Sequence, residues 1–347
     1  MNVREMEFYQ SEISDILKSD YQWEKLKNST ILVTGASGSI GQVIIDVLMK
    51  LNICNDYRCN IIAVSRNAVK AREIFWNYWG NEHFEYISMD VSKVVEIDTK
   101  IDYILHAASN THPLQYAQEP ISTISTNVFG TYHLLSLAHK NHSEFLLFSS
   151  VEIYGENDTN IEMLNEKDMG YLDCATLRAG YPESKRLSES MCFAFAKQLD
   201  VEFKIVRLSR VYGLTMSRED SKAIAQFFNN GLNHEDIILK SEGRQLYSYI
   251  YVMDCVSGIF AVLLNGKNGE VYNVSGANST IMLKDLAQLI ADEFGVNVVC
   301  ELPTQLEKEG FSKATKAVLN SEKLITLGWS ELTNIKEGVR KIRNVML

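Results

Sequence analysis

The sequence lacks the features that mark several protein classes. Only four prolines occur in 347 residues, and no low-complexity or linker-like tract interrupts the chain, so a disordered hinge is not expected. Six cysteines, at 54, 59, 174, 192, 255 and 300, form no Cys-x-x-Cys pair and have no histidine at zinc-finger spacing. Free thiols in a reducing cytosol are expected, and no metal site. No apolar run approaches the ~18 residues that a membrane-spanning helix needs. The first residues, MNVREMEFYQSEISD, contain no apolar segment of signal-peptide length. Basic residues are outnumbered, with 34 Lys and Arg against 44 Asp and Glu and a net charge of −10. That excludes coating a phosphate backbone as the main task, although a small phosphorylated ligand needs only a few local donors. A soluble, cytoplasmic protein that binds neither nucleic acid nor membrane is expected.

What is present is a rhythm. After a polar, mostly helical preface (1–28) with a stripe at Ile13, Ile16 and Leu17, apolar strand-like runs alternate with helical patterns. The runs are Thr30–Thr34, Asn60–Val64, Phe84–Ser88, Asp102–His106, Glu144–Ser149, Phe203–Arg207 and Val271–Val274. Helical patterns fall at Ile40–Leu51, Ala68–Trp76, about 122–140 and about 181–199. Alternation at this pitch predicts right-handed βαβ units and an α/β fold: a Rossmann-type, doubly wound parallel sheet with a smaller C-terminal substrate-binding domain. The expected division is a helical extension at 1–28, a dinucleotide-binding domain at 29–208 with 249–276, and a substrate-binding domain at 209–248 with 277–347. Two stretches, 155–180 and 210–250, are longer than a crossover needs, and insertions beyond strand ends are where such folds bind ligands.

Gly35-Ala36-Ser37-Gly38-Ser39-Ile40-Gly41 joins the first strand to its helix. The first glycine permits a tight turn, the second lets backbone approach a pyrophosphate, and the third allows close helix–strand packing at a helix N-terminus that favours anions. The second strand ends Ser65-Arg66, where an NAD-specific site usually places an acidic residue for the ribose hydroxyls. An arginine there can pair with a 2′-phosphate, so NADP is preferred, with NAD the alternative.

Tyr181-Pro182-Glu183-Ser184-Lys185 places a phenol and an ammonium four residues apart on one helical face. A nearby ammonium lowers a phenol's pKa, so Tyr181 is expected to act as a base near neutral pH with Lys185 beside it. Ser150, at the end of the fifth strand, is placed to hydrogen-bond the same reacting oxygen. His112, His133, His139 and His142 share no metal spacing with a carboxylate.

Glycine loop, strand-end serine and YxxxK, in that order, resemble the extended short-chain dehydrogenase/reductase family, in its nucleotide-sugar epimerase, dehydratase and decarboxylase branch. The resemblance spans roughly 29–345. It extends to Asp90-Val91, where the family contacts adenine, to His106-Ala107-Ala108-Ser109, which lines the cofactor, and to the helix motif Asn127–Thr131. Arg207-Leu208-Ser209-Arg210-Val211-Tyr212-Gly213 matches R-x-x-N-V-Y-G, with Tyr251–Asp254 and Tyr272–Gly276 as later landmarks. The resemblance implies a nucleotide-activated sugar as substrate, hydride transfer at sugar C4 with Tyr181 taking the hydroxyl proton, and a homodimer. The pairing helices would be 122–140 and 181–199, with Leu134, Leu135, Ala138, Met191 and Phe195 as the apolar contact residues. Glu152 stands at the position of the base in 4,6-dehydratases, while Val151 replaces their acid. Arg210 replaces the usual asparagine, and Tyr247 replaces an arginine that holds substrate phosphates. Arg210 or Arg244 is expected to supply that charge. Arg178 matches an arginine of decarboxylase-like members and is a candidate substrate contact. Epimerisation, dehydration and decarboxylation through a C4 ketone remain open, with net reduction of a nucleotide-linked keto sugar by NADPH as the alternative.

Overall fold

The computed structural model describes residues 3–111, 113–157, 160–304 and 314–347; His112 lies outside them. In chain order the elements are α1 (Glu7–Leu17), β1 (Thr30–Thr34), α2 (Ser39–Asn55), β2 (Asn60–Ser65), α3 (Ala68–Ile74), β3 (Phe84–Ser88), β4 (Tyr103–His106), α4 (Pro113–Gln118), α5 (Pro120–Asn141), β5 (Glu144–Ser150), α6 (Gly180–Leu199) and β6 (Phe203–Leu208). There follow β7 (Arg210–Tyr212), α7 (Ala223–Leu232), β8 (Ile237–Leu239), β9 (Leu246–Tyr251), α8 (Val252–Asn265), β10 (Glu270–Val274), β11 (Thr280–Met282), α9 (Leu283–Phe294), β12 (Val298–Cys300) and β13 (Lys316–Ala317). A last helix, Ile335–Met346, begins with a capping box in which Asn334 and Glu337 satisfy each other's backbone N–H groups.

Seven strands form one sheet in the order β10-β6-β5-β4-β1-β2-β3, every pairing parallel. All five residues of β1 and all six of β6 are buried, as expected where helices cover both faces. Each strand lies within a residue or two of the run read from the sequence, because β-branched and aliphatic runs between polar turns leave little choice of boundary.

The smaller sheets were not foreseen in detail. β9 pairs with β11, β13 and β7, and β8 pairs with β12. β9 belongs wholly to the second sheet, and the chain re-enters the parallel sheet at β10 after the buried helix α8. α8 is buried along nearly its whole length. Among the described residues no helix is long and apolar enough to cross a membrane.

The N-terminal segment is more deeply packed than a polar preface implies. Tyr9, Ile13, Ile16, Trp23 and Leu26 join the main core. The Asp46 carboxylate on α2 accepts from both Nε and Nη2 of Arg4 and from the hydroxyls of Tyr9 (2.6 Å) and Tyr78 (2.9 Å). Arg4 lies against the rings of Phe75 and Tyr78. Glu12 accepts from Tyr251 Oη and Lys341 Nζ, tying α1 to β9 and the last helix.

Candidate active site

The glycine loop lies at the C-terminal ends of β1 and β4. Gly35 has φ +68°, and a Cβ there would stand 2.8 Å from the backbone of Ala107 and Ala108, so only glycine fits. A Cβ on Gly41 would strike the backbone of Gly35 and Ala36. α2 starts at Ser39 with Gly38 as its N-cap and no side-chain cap. Its first backbone N–H groups therefore take no side-chain cap partner at the turn where a dinucleotide's pyrophosphate would lie. Ser37 and Ile40 complete the turn, and Ser39 is joined to Thr215 by hydroxyl and carbonyl contacts of 2.9 and 2.8 Å. This loop fits a dinucleotide.

Ser65 is buried at the end of β2 with its hydroxyl 3.2 Å from Tyr86 Oη. Arg66 is exposed and donates to Asn110 Oδ1 at 3.1 Å. Asp90 Oδ1 accepts from the Ser92 amide. Burial pushes the Asp90 carboxyl up, but Ser92 and the Arg66 charge outweigh it and hold it below its ordinary value. Val91 is buried against Gly130. His106 is fully buried, with Nδ1 2.9 Å from Thr34 Oγ1. Burial, aided by the Lys185 charge, lowers its pKa to about 3, so the ring stays neutral. It underlies the site, and Ala107 and Ala108 face the glycine loop. Ser109 Oγ donates to Asn127 Oδ1, Asn127 Nδ2 to Ser184 Oγ, and Ser184 Oγ to the Tyr181 carbonyl, at 2.8, 2.9 and 2.8 Å. This buried chain fixes the start of α6 against β4 and α5.

Ser150 ends β5 and accepts from the Glu152 amide at 3.3 Å, which turns the chain into the helical turn Val151–Tyr154. Tyr181 sits in the first turn of α6, 5 % exposed. The Lys185 charge is not among the main influences on Tyr181. Lys185 Nζ donates to the Phe148 carbonyl at 2.8 Å, and burial lowers this lysine to about 8. Burial raises the Tyr181 phenol above its ordinary value, the hydroxyls of Ser150 and Tyr116 and the charge of Arg178 pull it down, and Glu152 pushes it up. The groups tuning the phenol thus come from β5, α4 and the 155–180 segment rather than from the i+4 position. Spacing fixed which helical face Lys185 occupies, but only the packing of β5 decided that a carbonyl takes its N–H.

Glu152 lies between two guanidiniums. Arg178 Nη2 donates to its Oε2 at 2.6 Å and Arg210 Nη2 to its Oε1 at 3.3 Å. Arg210 also stacks on Tyr247, its guanidinium carbon 3.4 Å from the ring centroid, and Tyr247 Oη donates to the Ala314 carbonyl. Among the described residues, Nε and Nη1 of Arg178 and Nη1 of Arg210 are buried without a hydrogen-bond partner. Glu152, Arg178 and Arg210 line a cavity with Val151, Gly155, Thr176 and Pro182. The two departures from the family pattern, Arg210 and Tyr247, therefore meet in space. Arg244 does not join them; it is 82 % exposed and pairs with Glu242.

Two residues that sequence reading passed over, Tyr116 and Asn110, and three that it noted only as landmarks, Arg207, Asp254 and Asn273, hold the site. Tyr116 stacks on Tyr181, and Asn110 holds Arg66. Arg207 makes a buried bidentate pair with Glu189 of α6, and its Nη1 donates to the Glu166 carbonyl and to Tyr154 Oη. Asn273 accepts from Tyr154 Oη at 2.6 Å, and Asp254 accepts the amides of Leu332 and Thr333. The landmark motifs around 207, 254 and 273 thus clamp α6, the loop beyond β5 and the C-terminal segment together. Tyr116 and Asn110 carry no periodic or spacing signal, so nothing short of the fold would find them.

The sequence pattern of the NAD dependent epimerase/dehydratase family matches residues 31–275. UDP-glucuronic acid decarboxylase 1 of Xenopus tropicalis is 30 % identical over 312 residues, covering 90 % of this chain and 70 % of that protein. UDP-glucuronic acid decarboxylase 6 of Arabidopsis thaliana is 27 % identical over 317 residues, covering 90 % and 87 %. Among solved structures, a dTDP-glucose 4,6-dehydratase of Streptomyces venezuelae with NAD bound superposes with a TM-score of 0.78 at 21 % identity, covering 91 % of this chain and 96 % of that one. A UDP-glucuronic acid 4-epimerase of Bacillus cereus, in complex with UDP-glucuronic acid and NAD, gives 0.77 at 20 % identity, covering 91 % and 98 %. At that identity the structural likeness speaks for the fold. Pattern and relatives together settle the kinship: the chain belongs to the NAD dependent epimerase/dehydratase family.

Proposed function

We propose that this protein is an NAD(P)-dependent enzyme that acts on a nucleotide-activated sugar through transient oxidation at C4, and that the sugar carries a carboxylate which leaves as carbon dioxide. The observation that carries this reading is the Arg178 and Arg210 guanidinium pair on Glu152, with three buried guanidinium nitrogens that no atom of the described residues satisfies. Leaving such donors unpaired costs about 1–3 kcal/mol each, and a planar carboxylate is the group guanidiniums pair with best. Decarboxylase relatives support the same choice of substrate.

In this reading Tyr181 takes the C4 hydroxyl proton while Ser150 holds the same oxygen. The bound nicotinamide supplies the hydride acceptor and, on return, the donor. A ketone at C4 is β to the carboxylate, so breaking the bond between C5 and the carboxyl carbon leaves the electron pair on an enolate oxygen that Tyr181 and Ser150 can stabilise. Glu152, fixed by Arg178 and Arg210, exchanges a proton at C5. Ser65 and Arg66 support NADP as the preferred cofactor, and Arg66, with Val151 in place of the dehydratase acid, favours the second reading, net reduction by NADPH. Of the two arginines expected to hold substrate phosphates, Arg210, stacked on Tyr247, is the one we propose, since Arg244 is exposed and paired with Glu242. We further propose a cytoplasmic homodimer. The contact residues expected for it need correction: Leu134, Leu135 and Ala138 are 0, 0 and 1 % exposed because they face the sheet, and Met191 and Phe195 are half-buried. The exposed apolar residues on these helices are instead Ile121, Ile124, Phe129 and Tyr132 of α5 and Leu187 and Phe193 of α6, with Met191 and Phe195 half-buried.

The test is to incubate the protein with nucleotide sugars, UDP-glucuronic acid among them, with NAD or NADP, and to identify products by mass. Loss of carbon dioxide without net cofactor consumption is expected. Stoichiometric consumption of NADPH would install the second reading, and no turnover of any nucleotide sugar would overturn both.

A further inference from the structure

Tyr116 lies on α4, outside every motif, 5 % exposed. Its ring stacks on that of Tyr181, with centroids 4.6 Å apart and planes inclined by 20°. The Arg178 guanidinium lies over the Tyr116 ring at 4.8 Å, and the same guanidinium holds Glu152 at 2.6 Å. Four side chains from four segments therefore form one continuous contact: Glu152, Arg178, Tyr116, Tyr181.

We infer that Tyr116 is a positioning residue for Tyr181: held between the Arg178 guanidinium and the Tyr181 ring, it fixes the phenol beside Ser150 and ties it to the carboxylate arm of the site. The inference rests on the reading of Tyr181 as the acid–base group. Stacked rings and a guanidinium over an aromatic face each add attraction beyond burial, and together they favour one rotamer of a first-turn tyrosine. The hydroxyl contributes separately. Tyr116 lowers the Tyr181 phenol, while burial, with Tyr181 itself, lifts Tyr116 well above its own ordinary value. Tyr116 thus stays protonated and can donate while Tyr181 exchanges its proton. The other groups facing this pair are Ser150 from β5, Glu152 from the turn after it, Arg178 before α6, and Asp220, whose charge reaches Tyr116. Lys185, the partner that spacing would nominate, is engaged by Phe148.

Two substitutions in the full-length protein separate shape from hydroxyl. Tyr116→Phe keeps the stack and removes the hydroxyl; Tyr116→Leu removes both. With ring-labelled tyrosine, the Tyr181 NMR signal, assigned by its loss in Tyr181→Phe, is expected to keep its ring-current shift in Tyr116→Phe and to lose it in Tyr116→Leu. In turnover, Tyr116→Phe is expected to move the acid limb of the kcat profile up by roughly half to one pH unit. Tyr116→Leu is expected to lower kcat about tenfold or more, with KM for cofactor unchanged. An unchanged Tyr181 signal in Tyr116→Leu, or a pH profile in Tyr116→Phe identical to wild type, overturns the inference. The NMR arm reads the protein without substrate, so a wrong substrate assignment and a wrong role for Tyr116 give different results.

Discussion

Tyr181 is the only residue in the site that combines burial in the first turn of α6, Ser150 at hand and a lysine on the same helical face. Tyr181→Phe is expected to lower turnover by on the order of 10²–10⁴ while leaving dinucleotide affinity intact, as measured by fluorescence titration. Glu152→Gln separates the chemistries: if a proton moves at C5, deuterium uptake from solvent at C5 stops, whereas a C4-epimerase or simple reductase loses far less than in Tyr181→Phe. Arg66 offers an exposed guanidinium at the edge where a 2′-phosphate would lie. Arg66→Ala is expected to weaken NADPH by about 1.5–3 kcal/mol, the scale of a charge-assisted hydrogen bond, and to leave NADH unchanged; equal affinities of the wild type for both cofactors would refute the preference. His106 has a consequence for pH. Its pKa in the folded protein, about 3, lies below the ordinary 6.5, so between those values the unfolded chain binds more protons and stability falls as pH drops. The wild type should lose stability relative to His106→Asn only below pH about 6.5, by up to roughly 1.4 kcal/mol per pH unit; parallel urea midpoints from pH 7 to 4 would contradict this.

At the scale of elements, the geometry of the candidate site depends on a few contacts that place α6. Its start is fixed by the Ser109–Asn127–Ser184 chain, and its middle by the Arg207–Glu189 pair. The N-terminal segment plays a comparable part for α2, at whose N-terminus we propose the dinucleotide binds. The Arg4–Asp46 pair is buried on both sides, at 7 and 2 % exposure. Removing one partner of such a pair leaves an uncompensated charge, so Asp46→Ala should cost about 3–5 kcal/mol. It should also open the N-terminal segment to protease; a melting temperature equal to wild type would show that the segment is an appendage after all.

For the whole molecule, the apolar face on α5 and α6 is the feature that a monomer leaves uncovered. Tyr132 and Phe195 meet edge to face across these two helices, so the patch is continuous between them. A dimeric mass by light scattering at micromolar concentration is expected, together with a shift toward monomer in Phe129→Glu. A monomeric wild type would remove the basis for the dimer.

The sequence by itself determined the parallel sheet, because seven short apolar runs separated by helical periods admit one way of covering both faces. It also located the glycine turn, since Gly35 and Gly41 occupy places where any Cβ meets backbone. It brought Ser150, Tyr181 and Lys185 to one region, because strand ends and helix starts in such a fold share one edge. Tertiary structure alone decided what those groups touch. Phe148 rather than Tyr181 engages Lys185, Tyr116 reaches Tyr181 from a helix with no motif, and Arg210 crosses onto Tyr247 to face Glu152. It likewise turned Leu134 and Leu135 inward and left Phe129 and Tyr132 outward. Backbone periodicity is a local property that a sequence carries residue by residue. Which buried donor meets which acceptor depends on side chains far apart in the chain, and only the packed molecule brings them together.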